Sequence, residues 1–147
     1  MPTESPRECG SCGICCKIPQ IQTMEKPYGK WCTHCDVGRG CRIYADRPDV
    51  CRGFECLWLS SPTMPDAFRP DRCGVLLSPR SSAKHGRTVL AMVEAGQFDR
   101  IKKPKFLKVL EYVRAAGFRI FVSDGRRSYH VERDGRLTPD TIEAALE

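Results

Sequence analysis

The sequence predicts an α+β fold, in which a loop-rich cysteine lobe joins a small antiparallel sheet carrying one main helix. Three observations predict it. Nine of the ten cysteines fall within the first 56 of 147 residues. The apolar residues among them (Ile14, Ile18, Ile21, Met24, Trp31, Val37, Ile43, Val50, Phe54) follow neither helix nor strand period. Beyond residue 73, short apolar runs, one helical stripe and two Asp-Gly turns follow one another in order.

Residues 1–8 read as a flexible lead-in, with two prolines and no apolar period. Residues 9–60 form the cysteine-cluster region, punctuated by Gly10, Gly13, Gly29, Gly38, Gly40 and Gly53. Residues 61–73 hold three prolines and read as an irregular connector. Residues 74–147 read as the α+β region, packed on the cluster as one domain. Val75–Leu77 and Thr88–Val93 are apolar runs bounded by turn residues, as buried strands are. From Pro104, the residues Phe106, Val109, Leu110 and Val113 recur at the spacing of a helix stripe, which Gly117 is placed to stop. Phe118, Ile120 and Val122 alternate as a strand, and Asp124-Gly125 turns the chain towards Tyr129 and Val131. A second turn at Asp134-Gly135 leads to an expected terminal helix near Thr138-Pro139, with Thr138 as its cap.

The cysteines run Cys9-x2-Cys12-x2-Cys15-Cys16, then Cys32-x2-Cys35, Cys41 and Cys51-x4-Cys56. A segment so poor in periodic apolar residues cannot offset its ordering entropy by burial. No signal peptide or membrane-length apolar run is visible, so the expected location is cytoplasmic, where thiols stay reduced. There a cysteine cluster reads as a metal site rather than a disulfide framework. The even cysteine count keeps disulfides in competition, but the vicinal Cys15-Cys16 pair suits a shared bridge poorly. Cys73, outside the cluster, reads as a buried thiol.

Charge supports this. The formal net charge of +6 counts every thiol as neutral; eight thiolates (−8) on two zinc ions (+4) would lower it to +2. Nucleic-acid binding then loses its main electrostatic support, and no membrane partner is expected. The expected partner is a protein or redox partner that the residues do not identify.

A Cys-x2-Cys step lets two thiolates grip one ion from a tight turn, and intervening glycines tolerate that backbone. Three cysteines at this spacing also grip iron–sulfur clusters. Adjacent side chains diverge, so Cys15 and Cys16 should serve different positions of two ions or of one multinuclear cluster. Cys32-Thr-His-Cys35 is a second knuckle, of the zinc-ribbon type, with His34 outside the ligand set.

The segment Gly40-Cys41-Arg-Ile-Tyr44-Ala-Asp-Arg47-Pro48-Asp-Val-Cys51-Arg-Gly-Phe54-Glu-Cys56, together with the first cysteine run, resembles the bacterial CxxCxxCC cysteine-cluster family. That family is described as a zinc- or iron-chelating domain, and flagellin-lysine N-methylases carry a related one. The resemblance spans residues 9–60. It implies Cys9, Cys12, Cys15, Cys16, Cys41 and Cys51 as ligands, with Cys32 and Cys56 as further members. Cys35 is not supplied by the resemblance and enters through its own knuckle. Arg47, inside the family element, is expected to support the ligands together with Tyr44, and Trp31, Tyr44, Phe54 and Trp58 to wall off water.

The expected cofactor is zinc or an iron–sulfur cluster, since both accept all-cysteine ligation. The resemblance tilts towards iron–sulfur and a redox or electron-transfer role. The cysteine count and the second knuckle tilt towards a zinc-stabilised structural or interaction module. No catalytic base or substrate pocket can be named, so an enzyme is the less favoured reading.

Overall fold

The computed structural model describes residues 12–52, 54, 56–82, 86–134 and 136–139. Cys9 and residues 140–147 lie outside them. In the cysteine lobe, a two-stranded antiparallel ribbon pairs β1 (Cys35–Asp36) with β2 (Gly40–Cys41). Two short helices follow, α1 (Asp49–Arg52) and α2 (Leu57–Ser60), and then α3 (Pro70–Cys73) ends the connector. The second half forms a five-stranded sheet of β3 (Leu76–Ser82), β4 (Gly86–Met92), β5 (Arg119–Ser123), β6 (Ser128–Val131) and β7 (Leu137–Pro139), paired in sequence order. Helix α4 (Pro104–Ala115) lies between β4 and β5 in the chain. This is the α+β class expected, with the ribbon as an additional small sheet. No helix among the described residues is long and apolar enough to cross a membrane.

Two expectations are corrected. The sheet is mixed rather than antiparallel, because β4 and β5 run parallel, Val89 opposite Ile120 and Ala91 opposite Val122. A 12-residue helix carries the chain back across the sheet before β5 begins, so β5 re-enters in the direction of β4. Both strands are buried on consecutive residues, Thr88–Met92 and Ile120–Ser123, as strands covered on two faces are. The second correction concerns Thr138. It lies in β7 opposite His130 rather than at a helix start, and the terminal helix expected after it falls on residues 140–147, outside those described.

Helix α4 buries the stripe read from the sequence: Phe106, Val109, Leu110 and Val113 are all at most 3% exposed. At about 2 kcal/mol per fully buried apolar side chain, the stripe contributes on the order of 8 kcal/mol before entropy is charged. The stop is also as read. Gly117 adopts φ +91°, and Phe118 N–H donates to the Val113 carbonyl at 3.2 Å, closing the helix end.

The two halves share one hydrophobic core, in which Ile18, Leu57, Trp58, Leu59 and Met64 pack with strands β3–β6 and α4. Polar clasps reinforce it. The Tyr28 hydroxyl reaches the carbonyls of Val93 (2.8 Å) and Ser123 (3.2 Å), and Lys17 pairs with Glu94 at 2.5 Å. Tyr28 lies directly against Gly125, where an added Cβ would come within 2.5 Å of the ring.

The β5–β6 hairpin is held by Asp124. Its carboxylate accepts backbone N–H bonds from Gly96 (3.0 Å), Arg126 (2.9 Å) and Arg127 (2.8 Å). Burial alone would raise its pKa, but the N–H groups of Arg127, Gly96 and Arg126 outweigh it and hold the carboxyl below its usual range. A depressed folded-state pKa stabilises the fold above the unfolded value of about 3.9, and that stability is lost as pH falls through the folded value. Urea unfolding across pH 2 to 7 should therefore show the wild type losing stability in acid more steeply than Asp124→Asn. Parallel curves would remove Asp124 from the acid limb.

Candidate metal centre

Local structure brings the cysteines in from four short segments. In the first, Cys16 N–H bonds the Gly13 carbonyl at 2.9 Å, winding Ile14–Cys16 into a 3-10 turn. The second is the Cys32–Cys35 knuckle, closed by Cys35 N–H on the Cys32 carbonyl at 3.0 Å. Cys32 N–H also bonds the Cys16 carbonyl at 2.7 Å, which ties the two knuckles together. In the third, the β1–β2 ribbon sets Cys41 directly opposite Cys35. The fourth begins at Pro48, whose carbonyl takes the Cys51 N–H at 2.9 Å and starts α1.

Cys16 is the hub. Its thiol shares hydrogen bonds with Cys15, Cys35 and Cys41. The Cys15 bond, burial and the charge Cys15 would carry push it far above the ordinary thiol range, with Cys35 and Cys41 pulling the other way. Burial, followed by the neighbouring Cys16 and Cys41 sulfurs, pushes Cys35 up to about 12. Burial also raises Cys41 and Cys51, each facing Cys16 and Cys32. These six sulfurs therefore form one electrostatic unit in which ionising one opposes ionising the next. Gly13 has a steric role here: a Cβ at that position would lie 2.9 Å from Cys35 Sγ.

A cavity of about 350 Å³ opens beside the unit, lined by Cys12, Cys15, Cys16, Cys32, Cys41, Cys51 and Cys56. The sheet forms part of its wall through Leu76 and Met92, which are register partners and so share one face. Cys12 lies near the guanidinium of Arg69, which is itself bound to Asp71. Cys56 caps α2, its sulfur accepting the Leu59 N–H at 3.4 Å. Cys73 stands apart from the cavity lining, and its thiol donates to the carbonyls of Val75 (3.4 Å) and Phe68 (3.6 Å).

Among the described residues, no group of three or more His, Cys, Asp or Glu side chains is arranged to hold a metal ion as it stands. The sulfurs instead interact with one another as thiols. As a donor set they nonetheless suit a soft cation, since sulfur is a soft ligand once a metal has displaced its proton.

Arg47 stacks on the Tyr44 ring at 3.9 Å, donates to the Tyr44 carbonyl at 2.8 Å, and favours the thiolates of Cys41 and Cys51. Arg42 and Arg52 instead donate to backbone carbonyls, Arg42 to Thr33 and Arg52 to Ala45 and Arg47. The expected aromatic wall is corrected in part: Phe54 lines the cavity, but Trp31 and Tyr44 are 37% and 41% exposed, so neither seals the sulfurs from water. Trp58 is buried, but in the shared core. Sequence reasoning missed Lys26, which is buried beside the sulfurs. No signal marked it, because a lone lysine in a loop reads as solvated charge.

Comparison with protein-family models, curated proteins and solved structures finds no match to this chain. The CxxCxxCC resemblance therefore rests on its motif residues.

Proposed function

We propose that this chain is a metal-binding protein whose cysteine lobe holds a thiolate-ligated centre, and that the centre is an iron–sulfur cluster with a redox or electron-transfer role. The observation carrying this is the convergence of Cys15, Cys16, Cys32, Cys35, Cys41 and Cys51 into one mutually interacting set. Crowded thiols are costly to ionise together, and a bound cation removes that cost. Six sulfurs exceed the four ligands of one tetrahedral ion, which supports a polynuclear centre. Cys16, Cys35, Cys41 and Cys51 would hold it, Cys12 and Cys56 extend the donor set along the cavity wall, and Cys9 belongs to the same motif. Such a cluster supplies one-electron transfer when bound. The chain's own part is to gather the sulfurs, place Arg47 against Cys41 and Cys51, and back the site with Leu76 and Met92. We place this chemistry in a reducing, cytoplasmic compartment, with a redox protein as partner.

One observation favours a second reading. The knuckle Cys32-x2-Cys35 continues into a ribbon that sets Cys41 opposite Cys35, an arrangement suited to structural zinc. In that case the lobe is a zinc-stabilised interaction module. Oxygen-free purification followed by elemental analysis, sulfide assay and a visible spectrum tests both. Iron, inorganic sulfide and a brown colour are expected. Stoichiometric zinc in a colourless protein moves the assignment to the module, and a folded protein with neither metal defeats both.

A further inference from the structure

The turn before Tyr28 presents a buried cation. Ile21 and Lys26 exchange two backbone hydrogen bonds of 3.0 Å around a tight loop, and Glu25 adopts the left-handed conformation at φ +51° to close it. A non-glycine residue in that region costs about 1 kcal/mol or more. The turn directs the Lys26 side chain inward, where the residue is 5% exposed. Its ammonium donates to the carbonyls of Lys17 (2.8 Å), Pro19 (2.5 Å) and Pro27 (3.1 Å). Lys17 directly follows Cys16, so the ammonium is anchored on the backbone of the hub cysteine. Among the described residues no carboxylate is paired with it, and Glu94 pairs with Lys17 instead. A buried charge with dipoles but no counter-ion is costly. Burial lowers the Lys26 pKa from its ordinary value, and the neighbouring groups working against it are Cys32, Cys16 and Cys15, each of which favours the charged ammonium.

We infer that Lys26 is the buried counter-charge of the thiolate centre, placed by the Ile21–Lys26 turn to balance the anionic sulfurs of Cys15, Cys16 and Cys32. This rests on the metal-binding reading above and adds a residue that touches no metal. The ammonium acts through space on the sulfurs, lowering the cost of holding several thiolates together. At the effective dielectric of a protein interior, one such charge alters metal affinity by about tenfold.

The rival role is a purely structural one, in which the ammonium only ties three carbonyls. Three variants of the full chain separate the two: Lys26→Arg keeps the charge, Lys26→Gln keeps an N–H donor without it, and Lys26→Met keeps neither. The readout is Zn²⁺ affinity by competition with a chelator under reducing conditions, since zinc probes thiolate ligation under either reading of the metal. Lys26→Arg should stay within about threefold of wild type, while Lys26→Gln and Lys26→Met weaken binding about tenfold. Lys26→Gln binding like wild type, or Lys26→Arg failing as badly as Lys26→Met, overturns the counter-charge. Wild type binding zinc with all three variants equal to it overturns this inference alone; wild type binding no metal overturns both readings.

Discussion

Cys16→Ser should cost the protein its metal, whereas Cys73→Ser should leave it bound. Cys16 interacts with Cys15, Cys35 and Cys41 and faces Cys51 as well, so its sulfur is shared among several partners. A serine there removes the soft donor and leaves a hard hydroxyl that zinc or iron at a thiolate site binds poorly. The affinity loss should be on the order of 100-fold or more, because metal binding and ordering of the lobe are one equilibrium. Limited proteolysis should then cut within residues 17–56, which have few packing contacts of their own to hold them. Cys73 stands outside the cavity lining and bonds the Phe68 and Val75 carbonyls, contacts a serine can imitate, so metal content should not change and stability should shift by less than about 1 kcal/mol. Metal content per chain, measured after gel filtration, decides the matter. Undiminished metal in Cys16→Ser would remove the hub from the ligand set.

Gly125→Ala should be the most destabilising single change in the sheet half, at about 3 kcal/mol. Two separate penalties combine there. The backbone at φ +90° is one that alanine adopts only with strain, and the new Cβ would lie 2.5 to 2.8 Å from three atoms of the Tyr28 ring. The ring cannot simply withdraw, because its hydroxyl is held by the Val93 and Ser123 carbonyls. For a chain of this size the melting temperature should fall by roughly 10 °C. Tyr28→Ala in the same chain should relieve the steric part, so the double variant should lose less than the sum of the two single ones. Strict additivity would mean that the ring and the glycine do not press on each other. Tyr28 joins the cysteine lobe to the sheet, so the single variant should also loosen residues 17–30, read as faster amide exchange there.

Much of the sheet half was legible because its residues obey local rules. The α4 stripe, Gly117 as its stop and Asp124-Gly125 as a turn each depend on neighbours within a few positions. The parallel entry of β5 was not legible, since a run such as Ile120–Val122 is equally apolar beside a parallel or an antiparallel neighbour. Thr138-Pro139 misled for a related reason. A threonine before proline is a good helix cap, but pairing of Thr138 with His130 and of Pro139 with Tyr129 draws both into β7. In the cysteine lobe, the spacing named the sulfurs but not their grouping. Cys35 had the weakest claim from the resemblance, yet it sits against Cys16 and opposite Cys41. Trp31 and Tyr44 were expected to shield the site because aromatics usually bury, but more than a third of each is exposed.

The sequence by itself determined the α+β class and the cysteines available for chemistry, because composition and short-range periodicity are properties of neighbouring residues. Only the tertiary structure decided which sulfurs meet, that Cys16 is their hub, and that Leu76 and Met92 back them from the sheet. It also decided that Lys26 points inward. These are long-range placements, set by how two halves with separate local preferences bury one shared core. A lysine in a loop and a methionine in a strand carry no mark of what they will face until that burial is complete.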